Sequence, residues 1–516
     1  MKSTITIPPV LRYNRGALTF MAIGPLQLIR QATNGQRRTL LAAAMGWALD
    51  AFDAMLYSLV LAMLMRELGM SKTTAGSLGT LTLLASGIGG VLFGLLADRI
   101  GRKQALMASI LTYSLCSFAS GLATSIGMLA AARFVLGLGM GGEWNTGATL
   151  VAETWPTELR AKAISIVQSS WALGFAAAAL VAGPVARIFG WRAVFFVGIL
   201  PAVVTLWIQW RVPESEMWRK RAGARAPLSV EPPDAALEGP LFHGDTAGSG
   251  RSVGSETAAN GAGARASGWG SDSVQNSSTG ESTALEGESS PLGTGMHPGA
   301  PIAAIDPPET GGYVSTTVIF RPPYLRHTFA LLLFNFFALF AWWGLFTWLP
   351  PYLSLPVEQG GRGFGVLGMT ALMVVLNLFG MFPGYASFGW VADHLGRRNA
   401  FLLYASVAAM LIPLYAAARA PSALLVLGTL VAFFGTGLFS GSGIMGSEIF
   451  PTAVRARALG FTYNGARAMS SLAPLVIGRV GQAKGLGWAF YLCAAGYLLA
   501  ALMTTQLPET KGKKLE

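Results

Sequence analysis

Charge is scarce in this chain. Only 12% of its 516 residues are Asp, Glu, Lys or Arg, about half the share usual in a soluble domain. Cysteine and histidine are scarcer still, at two and four. Cys116 and Cys493 both fall inside apolar runs, which excludes a disulfide framework or a cysteine metal site and leaves them as packing residues. His243, His297, His327 and His394 lie in a polar middle stretch or near the ends of apolar runs, and no nucleophile constellation accompanies them. Neither catalysis nor a cofactor nor a metal is expected. What is abundant is apolar, 52% of the chain. A helix crossing a bilayer needs roughly 20 mostly apolar residues. Such runs recur throughout, so the class is an integral membrane, all-α protein set in a lipid bilayer. The net charge of +12 does not indicate a nucleic-acid partner, because the basic residues sit in short loops between apolar runs, where they set topology.

Twelve spans are expected. In the first half they lie near 40–63, 76–97, 104–123, 126–147, 162–184 and 191–210. In the second they lie near 328–353, 366–391, 400–418, 422–446, 458–479 and 486–506. The boundaries follow: an N-terminal segment over 1–39, a six-helix bundle over 40–212, a linker over 213–322, a second six-helix bundle over 323–507 and a tail over 508–516. The linker is rich in Gly, Ser and Ala, as in GSGRSVGSETAANGAGARASGWG, a composition that cannot bury enough apolar surface to fold. The first ~37 residues are basic but lack the apolar core and cleavage site of a signal peptide, so the first span should direct its own insertion. Lys and Arg concentrate in one set of loops, among them Arg99, Arg102, Lys103, Arg160, Arg397, Arg398, Arg455 and Arg457. Both termini and the linker are therefore expected on the cytoplasmic side of the plasma (inner) membrane.

The six-plus-six count agrees with an internal repeat. GLLADRIGRK at 94–103 returns as GWVADHLGRR at 389–398, and ETWPTELRAK at 153–162 returns as EIFPTAVRAR at 448–457. Both pairs are 295 positions apart, so the chain consists of two related halves. Paired halves in a strongly apolar chain are the mark of a transporter with its binding site between them. In the first motif, Gly94 and Gly389 should let helices approach closely. Asp98 and Asp393 should accept from an arginine or a helix N-terminus. Gly101 and Gly396 should allow a tight turn, and Arg99, Arg102 and Arg397 supply the basic residues. In the second motif Pro156 and Pro451 end a span, and Glu153 with Arg160, or Glu448 with Arg455, can pair at its end.

These motifs resemble the loop signatures of the major facilitator superfamily, over the whole chain outside the linker. The resemblance implies twelve transmembrane helices in two pseudo-symmetric bundles, with the two motifs forming a gating network that locks the outward-open state. RFVLGLGMGGEW, beginning at Arg133, resembles the fourth-helix arginine motif that the family associates with proton coupling. The placement of Asp50 and Asp53 in span 1 resembles the aspartate motif of the aromatic-acid and the sialate/lactate-type proton symporters, and GWALDAFDAMLY, GGEW and WGLFTWLPPYL look closest to the latter, a metabolite–proton symporter group.

Ionisable residues inside apolar spans are costly, at least ~2.5–3.5 kcal/mol at mid-membrane, so each needs a partner or water. Arg133 and Glu143 lie ten residues apart in span 4 and serve either coupling or a structural ion pair. Glycines 137, 139, 141 and 142 between them suit close packing. Asp50 and Asp53 share a ~60° sector of span 1 with Gly46 and Tyr57 at 100° per residue, a stripe that should face an internal cavity. Two adjacent carboxylates there cannot both ionise easily, so one should keep its proton. Arg467 is the lone charge of FTYNGARAMSSLAP in span 11, on a face with Tyr463, Ser470 and Pro474. It either clamps a carboxylate with its planar fork or neutralises Asp50 or Asp53. Asn464, Gln168, Trp171, Asn335 and Asn377 complete the candidate cavity, each also open to simple packing.

The reading is a proton-coupled symporter of a small organic anion, working as a monomer by alternating access. A sugar or polyol carrier is the alternative, disfavoured by Arg467. A drug or metabolite antiporter is a third reading, weakened because Ala179 and Arg187-Ile188 break the expected glycine pattern around Gly183-Pro184.

Overall fold

The computed structural model describes residues 32–216 and 316–511, with Arg30, Trp218 and Arg219. Most of the expected linker therefore lies outside the described residues. Its two ends do not: Ser215 and Ile319 are both fully buried.

The described residues form helices and no strand. The first half comprises α1 (Asn34–Glu67), α2 (Lys72–Ile100), α3 (Arg102–Gly121), α4 (Ile126–Thr154), α5 (Thr157–Val197) and α6 (Pro201–Arg211). The second comprises α7 (Leu325–Ser354), α8 (Val366–Leu395), α9 (Arg397–Ala417), α10 (Pro421–Ile449), α11 (Thr452–Ser470), α12 (Ala473–Lys484) and α13 (Leu486–Thr504). Nine stretches among the described residues are long and apolar enough to span a membrane, and one of them, Lys162–Arg211, holds two traversals. The more polar α3 and the α11–α12 pair supply the other two, which gives the twelve of the expected fold. The break between traversals five and six falls at Gly190, whose φ of 81° is a conformation that glycine adopts without strain.

Local chemistry starts and stops these helices. Thr33 and Gln36 form a reciprocal capping box on α1, Gln36 N donating to Thr33 Oγ1 at 3.2 Å and Thr33 N to Gln36 Oε1 at 2.9 Å. Ser71 and Ser125 cap α2 and α4. A π-helical turn at Leu376–Met381 interrupts α8 just before Pro383.

Within the first half α2 and α3 pack along α4, and α1 along α5; within the second, α7 and α9 pack along α13. The tightest crossings repeat. A Cβ on Gly89 would overlap the carbonyl oxygen of Leu138, and one on Gly384 that of Phe433. Both members of this pair recur 295 positions on, so the small-residue crossing of α2 with α4 is repeated by α8 with α10. Gly137, Gly139, Gly141 and Gly142 pack equally closely. Gly94 and Gly389, expected to serve the same purpose, have nothing within 4 Å of a Cβ position. They lie on an open face in the last two turns of α2 and α8, and the glycines a turn or more earlier make the crossing.

Large apolar side chains stand exposed at helical spacing, for example Ile88, Val91, Leu92 and Leu95 on α2. Such a surface fits lipid contact. The halves meet through α1 with α7, α2 with α12 and α5 with α8. At the face opposite the repeated motifs, Ser58 Oγ donates to Thr347 O at 2.6 Å, Leu475 N to Thr80 Oγ1 at 3.3 Å and Lys72 Nζ to Gln359 O at 2.9 Å.

Candidate functional site

The repeated motifs build two matching charged clusters. Arg102 donates to Asp98 Oδ1 at 2.7 Å and to Glu153 Oε1 at 3.2 Å; Arg397 donates to Asp393 Oδ1 at 2.6 Å and to Glu448 Oε1 at 3.4 Å. Glu153 and Glu448 thus pair with the arginine of the first motif, whereas pairing with Arg160 and Arg455 was expected. The geometry explains this. The turns at Gly101 (φ 106°) and Gly396 (φ 94°) bring the next residue's guanidinium back over both carboxylates. Arg455 Nε instead donates to Phe450 O at 3.1 Å, and Arg160 Nε is buried without a partner. Each cluster lies within one half.

Sequence reasoning missed a third member. Glu214 Oε1 accepts from Arg102 N at 2.9 Å, and Glu509 Oε1 from Arg397 N at 2.8 Å. The N-termini of α3 and α9 are thereby capped from the far end of each half. The signal was available: Pro213-Glu214-Ser215 returns as Pro508-Glu509-Thr510, again at 295.

Deep between the halves lies a small cavity lined by Trp47, Gln168, Trp171, Leu339, Trp342, Trp343, Tyr385, Phe439, Tyr463 and Arg467. Four candidates from the sequence meet here: Arg467, Tyr463, Gln168 and Trp171. Gln168 and Trp171 stand one turn apart on α5, as do Tyr463 and Arg467 on α11. Arg467 is buried and its Nη2 has no partner. Ser470, on the same face, is fully buried and donates to Arg467 O at 3.0 Å. Asn464 is exposed and lies off the cavity. Asn335 and Asn377 are buried elsewhere, and Asn377 Nδ2 donates to Met373 O at 2.7 Å. Sequence reasoning missed Trp47, Trp342, Trp343, Tyr385 and Phe439 as cavity walls, because an aromatic residue in an apolar helix looks the same as one in a core.

The expected stripe on α1 divides. Gly46 sits so close to Glu143 Oε1 that a Cβ would overlap it, and Asp50 and Glu143 both feel the charge of Arg467. Asp53 turns into the first half, where Ser117 Oγ donates to its Oδ1 at 3.0 Å and a Cβ on Gly198 would overlap the same oxygen. Neither aspartate lines the cavity; both are fully buried in its first-half wall, and both Asp50 oxygens lack a partner. No ion pair joins Arg133 to Glu143 among the described residues. Arg133 lies instead over the ring of Tyr57, 4.7 Å from its centroid. It lines a second, smaller cavity with Ser58, Thr82, Trp343 and Thr347, and its charge acts on Asp53.

The profile of the Major Facilitator Superfamily matches residues 43–387 and 361–516. The chain belongs to this superfamily. It is similar to a probable 4-methylmuconolactone transporter of Cupriavidus pinatubonensis, 30% identical over 93% of this chain and 92% of the relative. It is also similar to the sialic acid transporter NanX of Escherichia coli, 26% identical over 93% and 96%, and to the niacin transporter NiaP of Acinetobacter baylyi, 27% identical over 92% and 94%. The fold matches a crystal structure of a D-xylose-proton symporter with a TM-score of 0.61 at 18% identity, over 93% of this chain and 99% of that one. The chain is thus a multi-pass membrane protein of the transporter fold, and its curated relatives carry small organic acids and related metabolites.

Proposed function

We propose that the protein carries a small organic acid across the plasma (inner) membrane together with protons, by alternating access, as a monomer with both termini in the cytoplasm. The observation that carries the reading is Arg467: a guanidinium buried between the halves, facing a cavity, with a donor left unpartnered. Such a charge is tolerated only where an anion or water completes it. An entering carboxylate would do so through the planar fork. Asp50, Asp53 and Glu143 supply the carboxyl groups that exchange protons as the halves rock, with Arg133 as a fixed counter-charge among them, and a net-neutral loaded carrier reorients more easily than a bare buried charge. The hydrogen bonds from Ser58 to Thr347 O, from Leu475 N to Thr80 and from Lys72 to Gln359 O support a state closed at the face opposite the motifs. The charged clusters at the motif face act as gating elements, and the protein works as a carrier without catalytic chemistry.

Relatives named for sialic acid, niacin and a muconolactone agree with an acid cargo. The alternative, a sugar or polyol symporter, has only the fold of the xylose symporter behind it. The test is uptake of labelled monocarboxylates, dicarboxylates, aromatic acids, sialate and sugars into proteoliposomes, with and without an inward proton gradient. Acid accumulation driven by the gradient is expected. Accumulation of a neutral sugar in preference to every acid would replace this reading with the alternative.

A further inference from the structure

Between the Arg467 cavity and the closed face lies the smaller cavity that holds Arg133. Trp343 belongs to the walls of both. Ser58 and Thr347, which bond to each other across the closed face, line the smaller one, as do Gly79 and Pro474 from the contact of α2 with α12. Both halves therefore contribute to this wall. The cavity lies on the path of a solute that reaches Arg467 from the face opposite the motifs.

Arg133 is the one charged residue in the wall. It is only 2% exposed and makes no ion pair among the described residues. Its Nε and Nη1 are enclosed without a partner, which leaves Nη2 to face the cavity. The charge of Asp53 acts on Arg133, but that carboxyl lies behind the wall and is held by Ser117. A cation so placed calls for an anion or water to complete it. The hydroxyls of Tyr57, Ser58 and Thr82 spend their hydrogens on Ala75 O at 2.8 Å, Thr347 O at 2.6 Å and Leu78 O at 2.9 Å. In the closed state these oxygens therefore add acceptors to the wall. Ser58 differs from the other two, because its acceptor belongs to the opposite half. When the face opens, Tyr57 and Thr82 keep their bonds and Ser58 loses its own. A free O–H and a guanidinium then line the same side of one opening, and both donate to a carboxylate.

We propose that Arg133 and Ser58 form a loading site for the carboxylate of the substrate, filled while the face opposite the motifs is open and emptied toward Arg467 as that face closes. This second site rests on the carboxylate reading of Arg467 and adds an earlier stop on the same path. Closure returns the Ser58 hydrogen to Thr347 O. The acid thereby loses one of its two holders as the halves meet, while Arg467 offers a fork deeper in, beyond Trp343.

The test needs the face held open. A Cβ on Gly76 would overlap Pro474 O of the other half, so Gly76→Leu acts as a wedge there. Should that variant not fold, Gly76→Ala forces the same contact apart with a smaller side chain. Saturation-transfer NMR on the purified full chain reads weak binding of pyridine-3-carboxylate, benzoate and sialate. In the wedged protein, Arg467→Gln should leave residual binding of at least one of these acids, about a hundredfold weaker than in the wedged parent. Adding Arg133→Gln should abolish it. Adding Arg133→Lys, which keeps the charge and loses the fork, should weaken it about threefold. Without the wedge, Arg467→Gln should lose the residual binding, because the cavity is then closed. Residual binding that is absent from the wedged protein, survives Arg133→Gln or is equally strong without the wedge overturns the loading site. The two ideas fail differently. If no acid binds the wedged parent, or Arg467→Gln binds the acids as tightly as that parent, the carboxylate reading has failed. If Arg467→Gln weakens binding and Arg133→Gln then changes nothing, only the loading site has.

Discussion

The two halves agree at their ends and differ at their centre. At the motif face each half carries the same cluster: an arginine over an aspartate and a glutamate, a positive-φ glycine, and a remote glutamate capping the next helix, all 295 positions apart. In the membrane interior the correspondence is partial. The cavity keeps two related pairs, Trp47 with Trp342 and Gln168 with Tyr463, again 295 apart. The buried charges have no such partners. At that spacing Asp50, Asp53 and Glu143 correspond to Leu345, Trp348 and Leu438, Arg133 to Gly428, and Arg467 to Ala172. Three acids and one arginine therefore lie in the first half and a single arginine in the second. The repeat maintains the crossings that pack each half and the charged cluster at its motif face. The centre has diverged, so that the lone buried arginine of one half faces the buried carboxyl groups of the other.

If that division is correct, damage to repeated features should be equal in the two halves, and damage to the centre should not. The largest effect is expected at the helix crossings. Gly89→Leu and Gly384→Leu each drive a side chain into a backbone carbonyl that cannot retreat, and each should cost about 3 kcal/mol or more. Thermal unfolding in detergent should show both variants severely and similarly destabilised. A large difference between them would show that the crossings are not equivalent.

At the centre, Asp53→Asn should abolish gradient-driven accumulation of the substrate while exchange of loaded carriers continues. Asp53 sits inside the first half beside Ser117 and under the influence of Arg133. It can therefore take part in coupling without touching substrate. Uptake and counterflow assays on the same preparation separate the two. Wild-type accumulation with unchanged pH dependence would remove Asp53 from coupling.

The charged clusters should give smaller, matched effects. Arg102→Gln and Arg397→Gln each lose two ion pairs whose aspartates are well exposed and whose glutamates are not. A loss of about 1–2 kcal/mol in each is expected, read as shifts in unfolding temperature that agree between the two.

The smallest effect belongs to a contact with no counterpart in the repeat. At the end of α1, Glu67 accepts from Trp191 Nε1 at 2.7 Å and pairs with Arg192. These hydrogen bonds, that from Arg192 first, hold its carboxyl below the ordinary glutamate range. A lowered folded-state value means the clasp contributes fully above that range and is lost as pH falls through the lowered value. Because the pair is largely solvated, Glu67→Gln should change stability by only ~0.5 kcal/mol at neutral pH. The difference between the variant and wild type should vanish in acid. A difference that instead grows as the pH falls would contradict the assignment.

The fold was legible in the sequence because span length, charged loops and a 295-residue repeat are one-dimensional signals. The site was legible in part. Arg467 stood out as a charge among apolar residues and Tyr463 followed from the face they share, while Gln168 and Trp171 were candidates only as polar or amphipathic side chains within a span. Helical spacing placed Asp50 and Asp53 on one sector, but ~60° is enough to aim one at α4 and the other at α3. Only the neighbouring helices decide between those directions. Gly94 and Gly389 were misread as packing residues for the same reason, since a small residue in a motif does not reveal what lies opposite it. Trp47, Trp342 and Trp343 gave no signal, because a cavity lining and a core have the same composition.

The central claim is that a carboxylate meets Arg467 between the halves. It is tested most directly by binding to purified wild type, Arg467→Lys and Arg467→Gln of the acid identified by uptake, alongside that acid's neutral amide. Arg467→Lys should weaken acid binding about tenfold by losing the fork. Arg467→Gln should weaken it at least about a hundredfold, and the amide should bind wild type and Arg467→Gln alike. Unchanged affinity of the acid for Arg467→Gln would contradict the account.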